Sequence, residues 1–288
     1  MTILRLTYLS LMIAVLFASA CSDVPGNTLD GAPGGDAKVP TGTLGDHGQD
    51  DAAHYEKLVR EARGAFLDDP RKIEEVELSA ELYQRATEIR ADEYLVLWEA
   101  ARTCVWLGNY GPEDKQKDYV MQGITYANTA LKVKPDGPEA LFYDGALAGK
   151  LAELDISYGA DGLKTLMSRM KQLVDMDSKY IYDAPDRVLG ITYMRAPGSP
   201  IGPGDWDKAE EHLTRALEYD PNWPENQLYM AELEFSLADE RDKPELAERA
   251  RNRLNEHILS EDAVAPMGSK FEFKKWQEEA RKLIEDNK

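Results

Sequence analysis

From about residue 51 to the carboxyl end, apolar side chains recur three or four positions apart: Leu82, Ala86 and Ile89; Ile124, Ala127 and Leu131; Leu163, Leu166, Met170 and Leu173; Leu213, Ala216 and Leu217. That spacing places each set on one face of a helix with 3.6 residues per turn, and alternating β-branched runs, the mark of strands, are missing. The pattern predicts an all-α body. A second, longer period overlies the first. Asp92, Pro135, Ser178 and Pro221 stand 43 residues apart, each just before a predicted helix start, and Tyr94, Tyr180 and Trp223 share one position beyond them. Self-similarity at such a period predicts stacked helical hairpins, an α-solenoid. Five hairpins are expected, over 51–90, 93–133, 137–177, 183–219 and 224–259, and a Lys/Glu/Arg-rich last helix around 271–286 is expected to cap the stack. Ala80, Gln84 and Thr87 keep the spacing with poor residue types, so 51–90 is either a true repeat or a divergent cap.

Within the units, Ala209, Leu213, Ala216 and Pro221 repeat the spacing of Gly123, Ala127, Ala130 and Pro135. Small residues there let the two helices of a hairpin approach closely, and the proline ends one hairpin before the next begins. This resembles the second helix of a tetratricopeptide repeat, and Leu189, Gly190 and Tyr193 resemble its first helix. A plain tetratricopeptide unit has about 34 residues, so each unit here carries about nine more. They are expected in the turns at 108–114, 157–162 and 196–204, with helix lengthening taking up part of the excess.

The amino end reads differently. Arg5, an apolar run from Leu9 to Ala18 and small residues before Cys21 form a secretory signal over residues 1–20. The run is shorter than the roughly 20 residues a spanning helix needs. The segment from Ala18 to Cys21 resembles the lipobox of bacterial lipoproteins, which implies a lipidated Cys21 as mature amino terminus. An ordinary signal peptide cut after Ala-x-Ala is the alternative. Ser22 after the cysteine implies, by the same resemblance, the periplasmic side of the outer membrane. Residues 21–50 are rich in Gly, Pro, Asp and Thr and poor in large apolar side chains, which predicts a flexible tether with a reach of roughly 30 Å before a folded domain over 51–288.

Charge and chemistry narrow the function. The chain has 34 Lys plus Arg against 53 Asp plus Glu, and no basic stripe interleaved with aromatics, so nucleic acid is excluded as a partner. An anionic lipid surface would repel such a chain, leaving the acyl chains as its hold on the membrane. Cys104 has no second cysteine in the mature chain to pair with and reads as a small core hydrophobe. His47, His54, His212 and His257 are scattered, zinc-type spacings are missing, and so are Gly-x-Ser-x-Gly and the phosphate-binding loop. The expectation is a binding protein, not an enzyme, with no metal or cofactor.

The stretch from Pro135 to Glu234 carries Leu-Phe-Tyr-Asp-Gly at 141–145, Asp-Arg-Val-Leu-Gly at 186–190, Arg-Ala-Pro-Gly-Ser-Pro at 195–200 and Glu-Asn-Gln-Leu-Tyr-Met-Ala-Glu at 225–232. These segments resemble the periplasmic T-component (TatT) lipoproteins associated with TRAP transporters. The resemblance implies docking to an extracytoplasmic solute-binding protein, homo-oligomerisation, and a channel or pocket for a hydrophobic small molecule. An outer-membrane or pilus assembly role, known for other tetratricopeptide lipoproteins, is a further reading.

A curved stack leaves a concave surface lined by its first helices. Counting from each unit's Leu-Gly-like position places Glu99, Trp106, Phe142, Arg187, Asn226 and Tyr229 on that surface. Arg187 offers a fork for a carboxylate and Asn226 both donors and acceptors, which suits an extended peptide or an acidic ligand. The competing readings are an Arg187 paired with an acid between hairpins and an Asn226 capping the fifth unit's first helix. Trp98, Tyr126, Tyr143, Tyr193 and Phe235 are read as core before cavity lining.

Overall fold

The computed structural model describes residues 46–288, with side chains described from Asp51 onward. The signal segment, Cys21 and nearly all of the tether expected over 21–50 lie outside the described residues. Eleven α-helices follow one another among the described residues: α1 (Asp46–Leu67), α2 (Ile73–Ile89), α3 (Tyr94–Tyr110), α4 (Gln116–Val133), α5 (Pro138–Leu154), α6 (Gly159–Asp175), α7 (Tyr180–Arg195), α8 (Trp206–Tyr219), α9 (Pro224–Glu240), α10 (Pro244–His257) and α11 (Lys270–Asp286). The first ten pair as five consecutive antiparallel hairpins, each packed on the next, so the fold is an all-α solenoid. The hairpin limits fall within a few residues of those the 43-residue period predicts; α1 starts five residues earlier, inside the stretch expected as tether.

Local chemistry explains the boundaries. Pro138, Pro224 and Pro244 open α5, α9 and α10, where a missing N–H costs nothing. Asp205 caps α8, its Oδ1 accepting from the Asp207 and Lys208 amides at 3.1 Å. Gly190 sits where α8 crosses α7: a Cβ there would lie 2.5 Å from Leu213 Cγ. The extra residues are not mainly in the turns. Only the fourth hairpin has a long loop, 196–205, closed by a bridge between Gly198 and Gly204. In the second and third hairpins the helices have lengthened to 17 or 18 residues, and Gly159 and Gly162, expected in a turn, lie inside α6.

The fourth hairpin also contains a departure no period predicts. Ile181, Tyr182 and Asp183 take left-handed backbone angles (φ 48°, 55° and 61°) before α7 proper begins. Left-handed geometry costs a non-glycine residue roughly 1–2 kcal/mol, so three in a row need outside support. Tyr182 stacks on Trp223 with ring centroids 3.9 Å apart, and Arg187 Nη1 donates to the Tyr182 carbonyl at 3.1 Å.

First and second helices differ in burial. The second helices α6 and α8 are amphipathic, each with a narrow buried stripe. In α5 every residue from Ala140 to Ala152 is buried, and α3, α7 and α9 are nearly as enclosed. Enclosure on all sides requires cover on the face the stack leaves open, and α11 supplies part of it. The helix expected as a cap does touch the last hairpin, through α9 and through Arg251 Nη2, which donates to the Asn287 carbonyl at 2.6 Å. It also reaches back to the first two hairpins. Phe271 packs on Trp106 and Tyr110 of α3 with centroids 5.2 and 4.9 Å apart, and Glu272 pairs with Arg71 of the α1–α2 turn at 2.9 Å. The superhelix curls around its own last helix.

Candidate functional site

The six residues placed on the concave face are all buried, and their polar atoms are engaged within the chain. Glu99 is clasped by Arg63 Nε at 2.8 and 2.9 Å and accepts from the Tyr83 hydroxyl, joining the first hairpin to α3. Trp106 donates Nε1–H to Glu272 of α11 at 2.9 Å. Phe142 meets Tyr143 and Tyr180 edge to face in the core. Arg187 pairs with Glu225 at 3.2 Å and donates to Asn226 Oδ1 at 2.8 Å, so it pairs with an acid of the next hairpin while pinning the left-handed turn. Asn226 caps, but not its own helix: its Nδ2 donates to the carbonyls of Ala216 and Asp220, at the end of α8. Tyr229 lies under the Arg195 guanidinium, 5.5 Å from ring centroid to Cζ. The aromatic set behaves as core: Tyr126, Tyr143, Tyr193 and Phe235 are buried and Trp98 packs against them.

The open space is a cleft alongside α11, where Lys275, Glu278, Lys282 and Asp286 of its lining are exposed and Trp276 is buried. The cleft, of about 450 Å³, is bounded by the ends of α3 (Asn109, Tyr110) and α7 (Arg195), by Glu232 in the middle of α9, and by one face of α11. Its floor is the Arg195–Glu232 pair, with Nε and Nη2 of the arginine on the two carboxylate oxygens at 2.8 and 2.5 Å. A planar guanidinium fork on a carboxylate is among the strongest side-chain contacts available. Glu279 of α11 comes within 3.7 Å of Arg195 Nη2 and makes no hydrogen bond among the described residues. Burial is the main cause that pushes its carboxyl up to about 8, with Arg195 opposing and Glu232 and Glu225 adding to it. Nearby on α5, Glu153 is pushed up to about 7 by burial against its partner Lys150.

Sequence reasoning missed Arg195, Glu232 and Glu279 as a group. The first two sit at the ends of the quoted segments 195–200 and 225–232, which marked them without linking them. The third comes from a helix assigned to the end of the stack. Among the described residues no cluster of three or more His, Cys, Asp or Glu side chains is arranged to hold a metal ion. No helix of the described residues is long and apolar enough to cross a membrane. No protein-family model matches this chain, and no curated protein matches it either.

Proposed function

We propose that this protein is a membrane-tethered tetratricopeptide-type scaffold that works outside the cytoplasm and docks a folded protein. By its resemblance to the T-component lipoproteins, that partner is the solute-binding subunit of a TRAP-type transporter. The tether is lipidated Cys21 followed by the 22–45 segment, ahead of α1. The docking surface is not the first-helix face, which α11 partly covers, but the edge of the stack where the second helices end.

The observation that carries this reading is a row of exposed apolar side chains at the repeat period. Val133, Met176 and Tyr219, 43 residues apart at the carboxyl ends of α4, α6 and α8, are 45%, 43% and 52% exposed. Ile89 at the end of α2 and Leu95 at the start of α3 extend the row at the same edge. Scattered exposed apolar residues are ordinary, but apolar residues exposed at equivalent positions of successive repeats recur on one side of the stack and suit a binding surface. Hairpins all running the same way bring their equivalent ends to one edge. The test is capture from periplasmic extract with full-length lipoprotein. The expected result is a stoichiometric partner identified by mass spectrometry as a solute-binding protein, its recovery falling at least tenfold for Met176→Glu with Tyr219→Glu while the circular dichroism is unchanged. Undiminished recovery by the double variant overturns the assignment of the edge, and a partner of another kind overturns the transporter link.

A further inference from the structure

The cleft alongside α11 suggests a ligand, and this inference goes beyond the docking reading and does not depend on it. We propose that the space between Arg195, Glu232, Glu279, Trp276, Tyr110 and Leu283 binds a monocationic amine, its ammonium beside the Glu279 carboxyl and its apolar body against the aromatic and aliphatic wall.

Three features point to a cation. The ionisable lining comprises four acids (Glu232, Glu278, Glu279 and Asp286) against three bases (Arg195, Lys275 and Lys282). Glu232 and Arg195 neutralise each other by their double contact, and Lys275 is paired with Glu278 at 2.9 Å, which leaves two acids, Glu279 and Asp286, against Lys282, with Glu279 the less exposed of the two and without a hydrogen bond. An anion seated on Arg195 would lie against both Glu232 and Glu279, whereas an ammonium near Glu279 completes the local balance. Finally, Trp276, Tyr110 and Leu283 give the wall apolar surface for the ligand's body, and the net charge of −19 raises the local concentration of cations near the chain.

Binding has a proton signature. The groups facing Glu279 are Arg195 of α7, Glu225, Tyr229 and Glu232 of α9, and Lys282 on its own helix. Burial, with these groups, raises the carboxyl to about 8, which keeps it mainly protonated at neutral pH. An arriving ammonium stabilises the carboxylate, so the proton leaves to solvent as the amine enters, and no other group need change charge.

The experiment is calorimetric titration of the full-length protein with phenethylamine, and with 3-phenylpropionate as an anion of matched size, at pH 7 in two buffers of different protonation enthalpy. The expected result is saturable amine binding with release of nearly one proton, and at least tenfold weaker binding of the anion. Glu279→Gln should lower amine affinity at least tenfold and abolish the proton release while melting no earlier than the parent chain, because Glu279 makes no hydrogen bond to lose. Preference for the anion, amine binding without proton release, full affinity in Glu279→Gln, or no heat up to millimolar amine would each overturn the proposal. The outcome is separate from partner capture, which uses the edge where the second helices end and none of the residues lining this space.

Discussion

The strongest single anchor of α11 within the superhelix is Glu272, and removing it should be felt across the whole fold. Glu272 and Arg71 are both fully buried, 201 residues apart in sequence, and the same Glu272 oxygen accepts from Trp106 Nε1 at 2.9 Å. Glu272→Ala strands a buried guanidinium, which costs about 3–5 kcal/mol. It also leaves an indole N–H without an acceptor, a further 1–3 kcal/mol or so. Arg71 keeps its bonds to the Phe66 and Gly268 carbonyls, at 2.9 and 2.7 Å, so the lower part of the combined range applies, about 4 kcal/mol. Against a total stability of roughly 5–15 kcal/mol that is a large share. Urea unfolding followed by circular dichroism measures the loss, and amide hydrogen exchange over 270–286 reports whether α11 detaches before the hairpins melt. Pairing Arg71→Met with Glu272→Gln removes the stranded charge and keeps an acceptor for Trp106, and should recover about 2 kcal/mol of the loss. A cost below about 1 kcal/mol for Glu272→Ala, or no recovery in the double variant, would refute the placement of α11 against the first two hairpins.

Two further predictions concern packing and protonation. Gly64→Ala on the open face of α1, where a Cβ meets nothing within 4 Å, should stabilise the protein by about 0.5–1 kcal/mol, whereas Gly190→Ala drives a methyl into Leu213 and should destabilise it by about 1–3 kcal/mol. The same substitution with opposite signs in thermal unfolding is the expected readout. Glu153 and Glu279, raised by burial to about 7 and about 8 from 4.5, hold protons in the folded chain that the unfolded chain has released. Stability from these two groups is therefore greatest below about pH 4.5 and falls as pH rises through 7 and 8; the urea midpoint should drop between pH 5 and 8.5, and less steeply in Glu153→Gln with Glu279→Gln.

Much of this protein is determined by the sequence alone, because the signals are local. The 3.6-residue recurrence of apolar side chains and the 43-residue return of Asp92, Pro135, Ser178 and Pro221 depend only on near neighbours, so five hairpins and their limits could be read directly. For Arg187 the sequence left a ligand fork and a pairing with an acid between hairpins equally open, and the packed structure places it against Glu225. What the tertiary structure decided is everything that depends on where α11 goes. Its amphipathic pattern states that one face is buried but not against what, and an end cap and an axial plug present the same periodicity. Only the curl of the stack brings Arg71, Trp106, Arg195 and Trp223 within reach of one helix, across separations no repeat encodes. That placement covers residues expected on an open concave face and leaves alongside α11 a cleft whose groups lie far apart in the chain. The left-handed turn at Ile181–Asp183 follows the same rule: its strain is held by Arg187 and Trp223, supports that exist only once the fourth and fifth hairpins have packed.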